Sequence, residues 1–161
     1  MNIRRAAEAD RDAIWRIIEP TIRAGATYTL DPAMSKEAAL GYWMGPDKET
    51  FVAENDRSLV GTYYIRANQA GGGAHVANCG YMTAADAQGS GVARAMCAHS
   101  IAHARERSFR AMQFNFVVST NERAVRLWHS LGFETVGRLP LAFRLPSSEY
   151  VDALVMFRSI V

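Results

Sequence analysis

Apolar positions along this chain switch between a helical period and an alternating one, and the switches mark the expected elements. Asn2 to Arg5 reads as a short strand. Ile14, Ile17, Ile18 and Ile22 follow at near-helical spacing with Trp15 beside them, the signature of one buried helix face. Asp10 is the expected N-cap of that helix, and Pro20 predicts a kink or break near Glu19. Ser35 caps a second short helix through Leu40 and Trp43, closed by Gly45-Pro46. Phe51 to Glu54 and Leu59 to Arg66 read as two strands joined by a turn at Asn55-Asp56-Arg57-Ser58. His75 to Thr83 is the next strand, and a long helix runs from about Gly89 to Arg107. Met112 to Val118 is a strand, Glu122 to Leu131 a helix, and Phe133 to Gly137 and Tyr150 to Phe157 the last two strands. The order β-α-α-β-β-β-α-β-α-β-β predicts an α/β fold with a mixed sheet covered on both faces.

Composition narrows the function classes. At 161 residues one domain, 1–161, is expected, with no linker or repeat. Eighteen Lys and Arg against 16 Asp and Glu leave a net charge of +2 with no block of like charge, which argues against a nucleic-acid partner. Cys79 and Cys97 are too few for a disulfide framework and form no CxxC pair, so no metal is expected. No apolar signal region follows Met1-Asn2-Ile3-Arg4-Arg5, and the longest charge-free stretch, Ala67 to Ala85, is rich in glycine and polar residues. A soluble cytoplasmic protein with no membrane span is expected.

The most informative local feature is Gln88-Gly89-Ser90-Gly91-Val92-Ala93-Arg94, between an expected strand and an expected helix. Glycines there let a ligand approach the backbone, and free N–H groups at a helix start attract phosphate. A tight turn with no ligand is the alternative. The dinucleotide fingerprint fails because Arg94 stands where a small residue is needed, and no Gly-Lys-Ser/Thr or G-x-S-x-G is present.

What remains, Q-x-x-G-x-A with Gln88, Gly91 and Ala93 at its fixed positions, resembles the pyrophosphate-binding loop of the GNAT superfamily of acetyl-CoA-dependent N-acyltransferases. A second motif of that family is matched by Asn121-Glu122-Arg123-Ala124-Val125-Arg126-Leu127-Trp128-His129-Ser130-Leu131-Gly132-Phe133. The resemblance implies a GNAT fold and acetyl-CoA as cosubstrate. It further implies that backbone N–H groups of Gln88, Gly89, Ser90, Gly91, Val92, Ala93 and Arg94 cradle the pyrophosphate. Met82-Thr83-Ala84 would pair with the pantetheine, with a backbone N–H near Met82 as oxyanion donor, and Asn121, Ala124 and Trp128 would line the opposite wall. Many members place a Tyr, proposed to protonate the departing thiolate, where this chain has Trp128, and an indole cannot act as an acid. Some relatives carry a catalytic Glu on the strand before the loop. Here His75 to Thr83 has no carboxylate, His75 is its only group titrating near neutrality, and no general base is identified.

Asn78 and Asn115 lie on the two strands expected to part around the acceptor. Each either makes a structural hydrogen bond or orients the acceptor. The segments around them are similar to those of fungal N-acetyltransferases that detoxify proline analogues. Glu19 and Tyr28, after the first helix, are further candidates for substrate contact. His99 and His103 share a helix face without a third metal ligand, and Cys79 and Cys97 read as buried thiols. The expected activity is transfer of acetyl to the amine of a small metabolite, an amino acid or analogue, in a ternary complex. An N-terminal peptide acetyltransferase and a non-catalytic CoA sensor are the alternatives, and the resemblance also implies a homodimer.

Overall fold

A computed structural model describes residues 1–56 and 58–161; Arg57, within the expected 55–58 turn, lies outside the described residues. Strands β1 (Asn2–Arg5), β2 (Glu49–Glu54), β3 (Leu59–Ala67), β4 (Val76–Thr83), β5 (Ala111–Val118), β6 (Glu134–Arg144) and β7 (Tyr150–Ser159) form one sheet. Their spatial order is β1-β2-β3-β4-β5-β7-β6. Helices α1 (Arg11–Ala24) and α2 (Lys36–Trp43) cover one face, and α3 (Val92–Glu106) and α4 (Glu122–Ser130) the other. The expected order of helices and strands is reproduced, as is the expected mixed, mostly antiparallel α/β sheet.

Strand alternation divides the core. On the α1–α2 side Ile14, Ile17, Ile18 and Ile22 pack with Trp43, Val52, Tyr64 and Met82. On the α3–α4 side Met96, Cys97, Ile101 and Trp128 pack with Tyr63, Ile65 and Phe114. The buried polar atoms between α2 and the sheet are paired: the Trp43 indole donates to Thr62 Oγ1 at 3.0 Å, Thr62 donates to Phe51 O at 2.9 Å, and Thr50 donates to Trp43 O at 2.9 Å. These bonds fix α2 and hence Tyr42, which faces the central cavity.

Three local expectations are corrected. The first helix does not break at Pro20; α1 continues to Ala24 and ends at Gly25 in the left-handed region, φ 60°. Pro20 lies on the exposed side, and burial of four isoleucines outweighs the missing backbone bond, which costs about 3 kcal/mol. Asp10 is not a side-chain N-cap of α1. It closes a 3-10 turn (Glu8–Asp10) that runs into the helix, and its carboxylate accepts from Ala7 N–H at 2.7 Å and from both Arg4 Nη atoms at 2.8 and 2.9 Å. Strand β6 is longer than Phe133 to Gly137 because it lies at the sheet edge and pairs with β7 alone. Its register shifts between Leu139 and Phe143, so Pro140 sits in a bulge where its missing N–H breaks no ladder. No helix among the described residues is long and apolar enough to cross a membrane.

The Arg4 hydrogen bonds hold the Asp10 carboxyl below its ordinary value of 3.8. A lowered carboxylate contributes stability that is complete above the unfolded-state value and is lost as pH falls through the folded-state value. Asp10→Ala is therefore expected to lose about 1–2 kcal/mol at pH 7, the gap to wild type closing as the pH drops below about 3.8. Chemical denaturation across pH checks this, and a gap that persists unchanged at acid pH contradicts it.

Candidate active site

The site begins with a parting of strands. β4 and β5 pair in parallel only at Val76↔Ala111 and Ala77↔Met112, and then diverge. On its other side β4 stays paired with β3 along its whole length. The bonds Asn68 N–H to Val76 O at 2.8 Å and Ala84 N–H to Val60 O at 2.9 Å fix which peptides face β3. In an antiparallel ladder such pairs alternate, so Asn78, Gly80 and Met82 also spend their peptide groups on β3. Cys79, Tyr81 and Thr83 turn theirs into the gap.

One occupant of that gap is the Tyr28 hydroxyl, which donates to Tyr81 O at 2.7 Å and accepts from Tyr81 N–H at 2.8 Å. Tyr28 belongs to the connection between α1 and α2, so this pair ties that connection to the open edge of β4. Burial raises the Tyr28 hydroxyl well above the ordinary tyrosine range, so it stays neutral. Within the stretch Met82-Thr83-Ala84, only Thr83 directs its peptide groups at the gap. The N–H groups of Met82 and Ala84 are used on β3, so of the peptides near Met82 only those of opposite parity face the gap.

Beyond the parting lies a cavity of about 250 Å³. Asn78 and Asn115 both line it. Asn78 Nδ2 donates to Gln113 O at 3.0 Å, bridging the two strands just where their backbones separate. Asn115 sits where β5 slips register against β7, between Phe114 and Val117, and donates to Asn68 Oδ1 at 2.6 Å while accepting from Gln113 Nε2 at 2.9 Å. Such bulges re-aim side chains and recur beside active sites. On the α2 side the Tyr42 and Tyr64 hydroxyls lie 3.2 Å apart, and Tyr64 packs edge-on against Trp43 at 4.9 Å. Tyr64 lies over Gly80: a Cβ there would stand 2.7 Å from its ring.

Arg66 is the one charged residue among the described residues lining the cavity. Its Nη1 reaches Asp47 Oδ2 at 3.3 Å, while Lys48 holds the same carboxylate at 2.9 and 3.0 Å. Arg66 Nε is buried with no hydrogen-bond partner, an arrangement that ordinarily costs about 1–3 kcal/mol.

At the far end of β4 a 3-10 turn (Ala85–Ala87) leads into the glycine loop. Gly89 and Gly91 have φ of 86° and 84°, a region that L side chains avoid. The first α3 bond is Ala95 N–H to Gly91 O at 3.0 Å, so the N–H groups of Val92, Ala93 and Arg94 have no intrahelical acceptor. Ser90 Oγ donates to Ala87 O at 2.6 Å and tightens the loop. The Arg94 side chain turns to α4 and donates to Ser130 Oγ at 2.8 Å. Arg123 Nη2 instead overlies the loop, 3.3 Å from the position of a Gly89 Cβ. Asn121 caps α4, accepting from Ala124 N–H at 3.4 Å, and both residues line the cavity with Trp128.

Some expected residues lie elsewhere. Glu19 is half-exposed on α1, pairs with Arg23 at 3.7 Å and does not line the cavity. His99 Nδ1 is 2.7 Å from the Tyr63 hydroxyl and His103 Nε2 is 3.1 Å from Glu49, so both rings pack on the sheet. Burial pushes the Cys97 thiol up to about 11 and the Cys79 thiol higher still. Tyr42, Arg66 and Arg123 were not singled out from the sequence, whereas Tyr64 reads there as an aromatic that packs either in the core or against an acceptor. The available signal was parity: Tyr64 and Arg66 pair with Gly80 and Asn78 and so share their face.

Residues 12–133 match the sequence pattern of the Acetyltransferase (GNAT) family. The chain belongs to that family. A GCN5-related N-acetyltransferase from Kribbella flavida superposes with a TM-score of 0.92 at 43% identity, over 98% of this chain and 96% of that one. N-acetyltransferase aca1 of Schizosaccharomyces pombe is 28% identical over 151 residues, 83% of this chain and 72% of its own length. The yncA protein of Salmonella typhimurium, a putative acetyltransferase solved with its cofactor acetyl-CoA, shares the fold. Its TM-score is 0.88 at 22% identity, over 100% of this chain and 94% of that one. This GNAT protein is accordingly an acetyl-CoA-dependent N-acetyltransferase, with acetyl-CoA as cosubstrate.

The tyrosine wall yields a test within this GNAT site. Tyr64 is held by Trp43 and Tyr42 and cannot retreat from Gly80, so Gly80→Ala is expected to cost about 1–3 kcal/mol and to raise the acceptor KM. Thermal unfolding and steady-state kinetics check this; wild-type values for both contradict the packing.

Proposed function

We propose that this GNAT enzyme acetylates the amine of a small metabolite, an amino acid or a close analogue, by direct attack of the neutral amine on the thioester. The observation that carries the reading is the cavity itself. It opens on the parting of β4 and β5, is walled by the Tyr28 connection and Tyr42, and its roughly 250 Å³ lies below the usual range for drug-sized pockets. A chamber of that size suits a metabolite better than a peptide.

The chain's residues take the following roles in this reading. The glycine loop from Gln88 to Arg94, with free N–H groups at the start of a 15-residue helix, holds the pyrophosphate, and Arg123 adds a cation beside Gly89. The gap-facing peptide groups of Thr83 bind the pantetheine arm and the thioester carbonyl, where a preorganised N–H stabilises developing negative charge, while those of Tyr81 are held by the Tyr28 hydroxyl. Asn121, Ala124 and Trp128 form the opposite wall. Trp128 packs against Tyr81 at 5.2 Å and Phe114 at 5.1 Å and supplies shape rather than a proton. The CoA thiolate leaves unassisted, being the conjugate base of a thiol with a pKa of about 8.5. Asn78 and Asn115 orient the acceptor from the two parted strands.

No described residue lining the cavity is a carboxylate or a histidine, so the enzyme selects the neutral amine rather than deprotonating the ammonium. A lysine-like amine is on the order of 0.1% neutral near pH 7, and that fraction rises tenfold per pH unit. Thiol release measured over free amino acids, polyamines, amino sugars and peptides is expected to favour free amino acids. For the best acceptor, kcat/KM is expected to rise about tenfold per pH unit up to the acceptor's own pKa. Preferential turnover of peptides sinks the metabolite assignment, and a plateau set by a group titrating near pH 6–7 sinks the absence of an enzymic base.

A further inference from the structure

We infer that Arg66 is the specificity-determining residue for the acceptor: it binds an anionic group, a carboxylate in the first instance, carried by the amine substrate. The inference rests on the metabolite reading above and adds to it the chemical class of substrate and the residue that selects it.

Three observations converge. The first is charge. Among the described residues lining the cavity Arg66 is the single ionic group, and every other lining residue is a neutral polar, aromatic or aliphatic side chain or glycine. An acceptor with a second cation meets no carboxylate there, whereas one with an anion meets a guanidinium. The second is an unspent donor. Arg66 Nε is buried and unpaired, and its Nη1 makes only a 3.3 Å contact to Asp47, a carboxylate that Lys48 already holds at 2.9 and 3.0 Å. A planar guanidinium with free donors matches the two oxygens of a carboxylate.

The third is position. Arg66 is the cross-strand partner of Asn78, and Tyr64 that of Gly80, so these four residues share one face of β3 and β4. An acceptor amine directed by Asn78 toward the gap therefore has Arg66 beside it on the same face, the short separation that an α-amino acid requires. Tyr42 and Tyr64 continue that wall with their hydroxyls, and burial holds Tyr64 well above the ordinary tyrosine range, so its hydroxyl does not oppose an anion. The same wall disfavours polyamines and amino sugars, whose extra ammonium or neutral ring leaves the guanidinium without a partner.

The experiment compares the free L-amino acid giving the fastest thiol release with its own primary carboxamide, with kcat/KM for each expressed per neutral amine from that amine's own measured pKa. The wild type is expected to favour the acid by about ten- to a hundredfold in kcat/KM, the range of a charge-assisted hydrogen-bonded pair. In Arg66→Gln that ratio collapses to about one through the acceptor KM, while Arg66→Lys retains part of it. A wild-type ratio near one, a ratio preserved in Arg66→Gln, or fastest turnover of a polyamine or amino sugar overturns the inference and leaves acetyl transfer to a small amine standing. Absence of thiol release with every amine in the panel overturns the metabolite reading itself. If Arg66→Gln does not fold, the wild-type ratio and Arg66→Lys decide.

Discussion

The backbone parity of β4 is the constraint on which the rest depends. A buried strand must satisfy its peptide groups on both edges. β4 meets that requirement toward β3 with its even-numbered residues along the whole strand, but toward β5 only at its first turn of pairing. Past Ala77 the odd-numbered peptides face a gap, and the molecule answers with side chains. The Tyr28 hydroxyl serves both groups of Tyr81, and the Asn78 amide reaches across to Gln113 O. The gap is thus a row of backbone donors and acceptors held at fixed spacing by a continuous ladder behind it. That is what an extended amide-bearing cosubstrate needs, much as an added strand uses a sheet edge.

The two faces of the sheet then divide the work. On the α3–α4 side Tyr81, Phe114, Trp128 and Phe133 form a packed aromatic cluster, with Phe114 and Phe133 stacked at 4.4 Å, which stiffens the strands where they part. On the α1–α2 side the Trp43–Thr62–Phe51 chain of hydrogen bonds anchors α2, and α2 in turn supplies Tyr42 to the cavity. Because the hydroxyls of Tyr28 and Tyr64 are buried and stay neutral, the cavity's field is set by Arg66 alone among its lining residues. A rigid gap and a singly charged chamber meet at Asn78 and Gly80, where the missing side chain leaves room for the Tyr64 ring.

Much of this was legible in the letters because it is local. Isoleucine spacing gives α1, Ser35 gives the start of α2 with its Ala38 N–H bond, and the two glycines of the loop sit at positive φ as their placement suggests. Asn78, Asn115, Tyr28 and Asn121 all line the cavity. What was not legible depends on pairing. Pro20 reads as a break until the four buried isoleucines around it are counted as one face. The strand from Phe133 reads as ending at Gly137 until β6 proves to be an edge strand running on to Arg144. Met82 looks like an oxyanion donor until register assigns its N–H to β3, and Arg66 looks like the end of a strand until Asn78 is set beside it. Glu19 fails for a simpler reason: it is on α1 but turned toward Arg23.

Amide hydrogen exchange on the protein with and without acetyl-CoA tests the central claim, that the peptides left over from β3 pairing receive the cosubstrate. The account predicts new protection at Thr83 and at Val92, Ala93 and Arg94, with Met82 and Ala84 unchanged because their N–H groups are already bonded to β3. Protection that appears at Met82 and Ala84 instead, or that leaves Thr83 and the start of α3 exchanging freely, contradicts it.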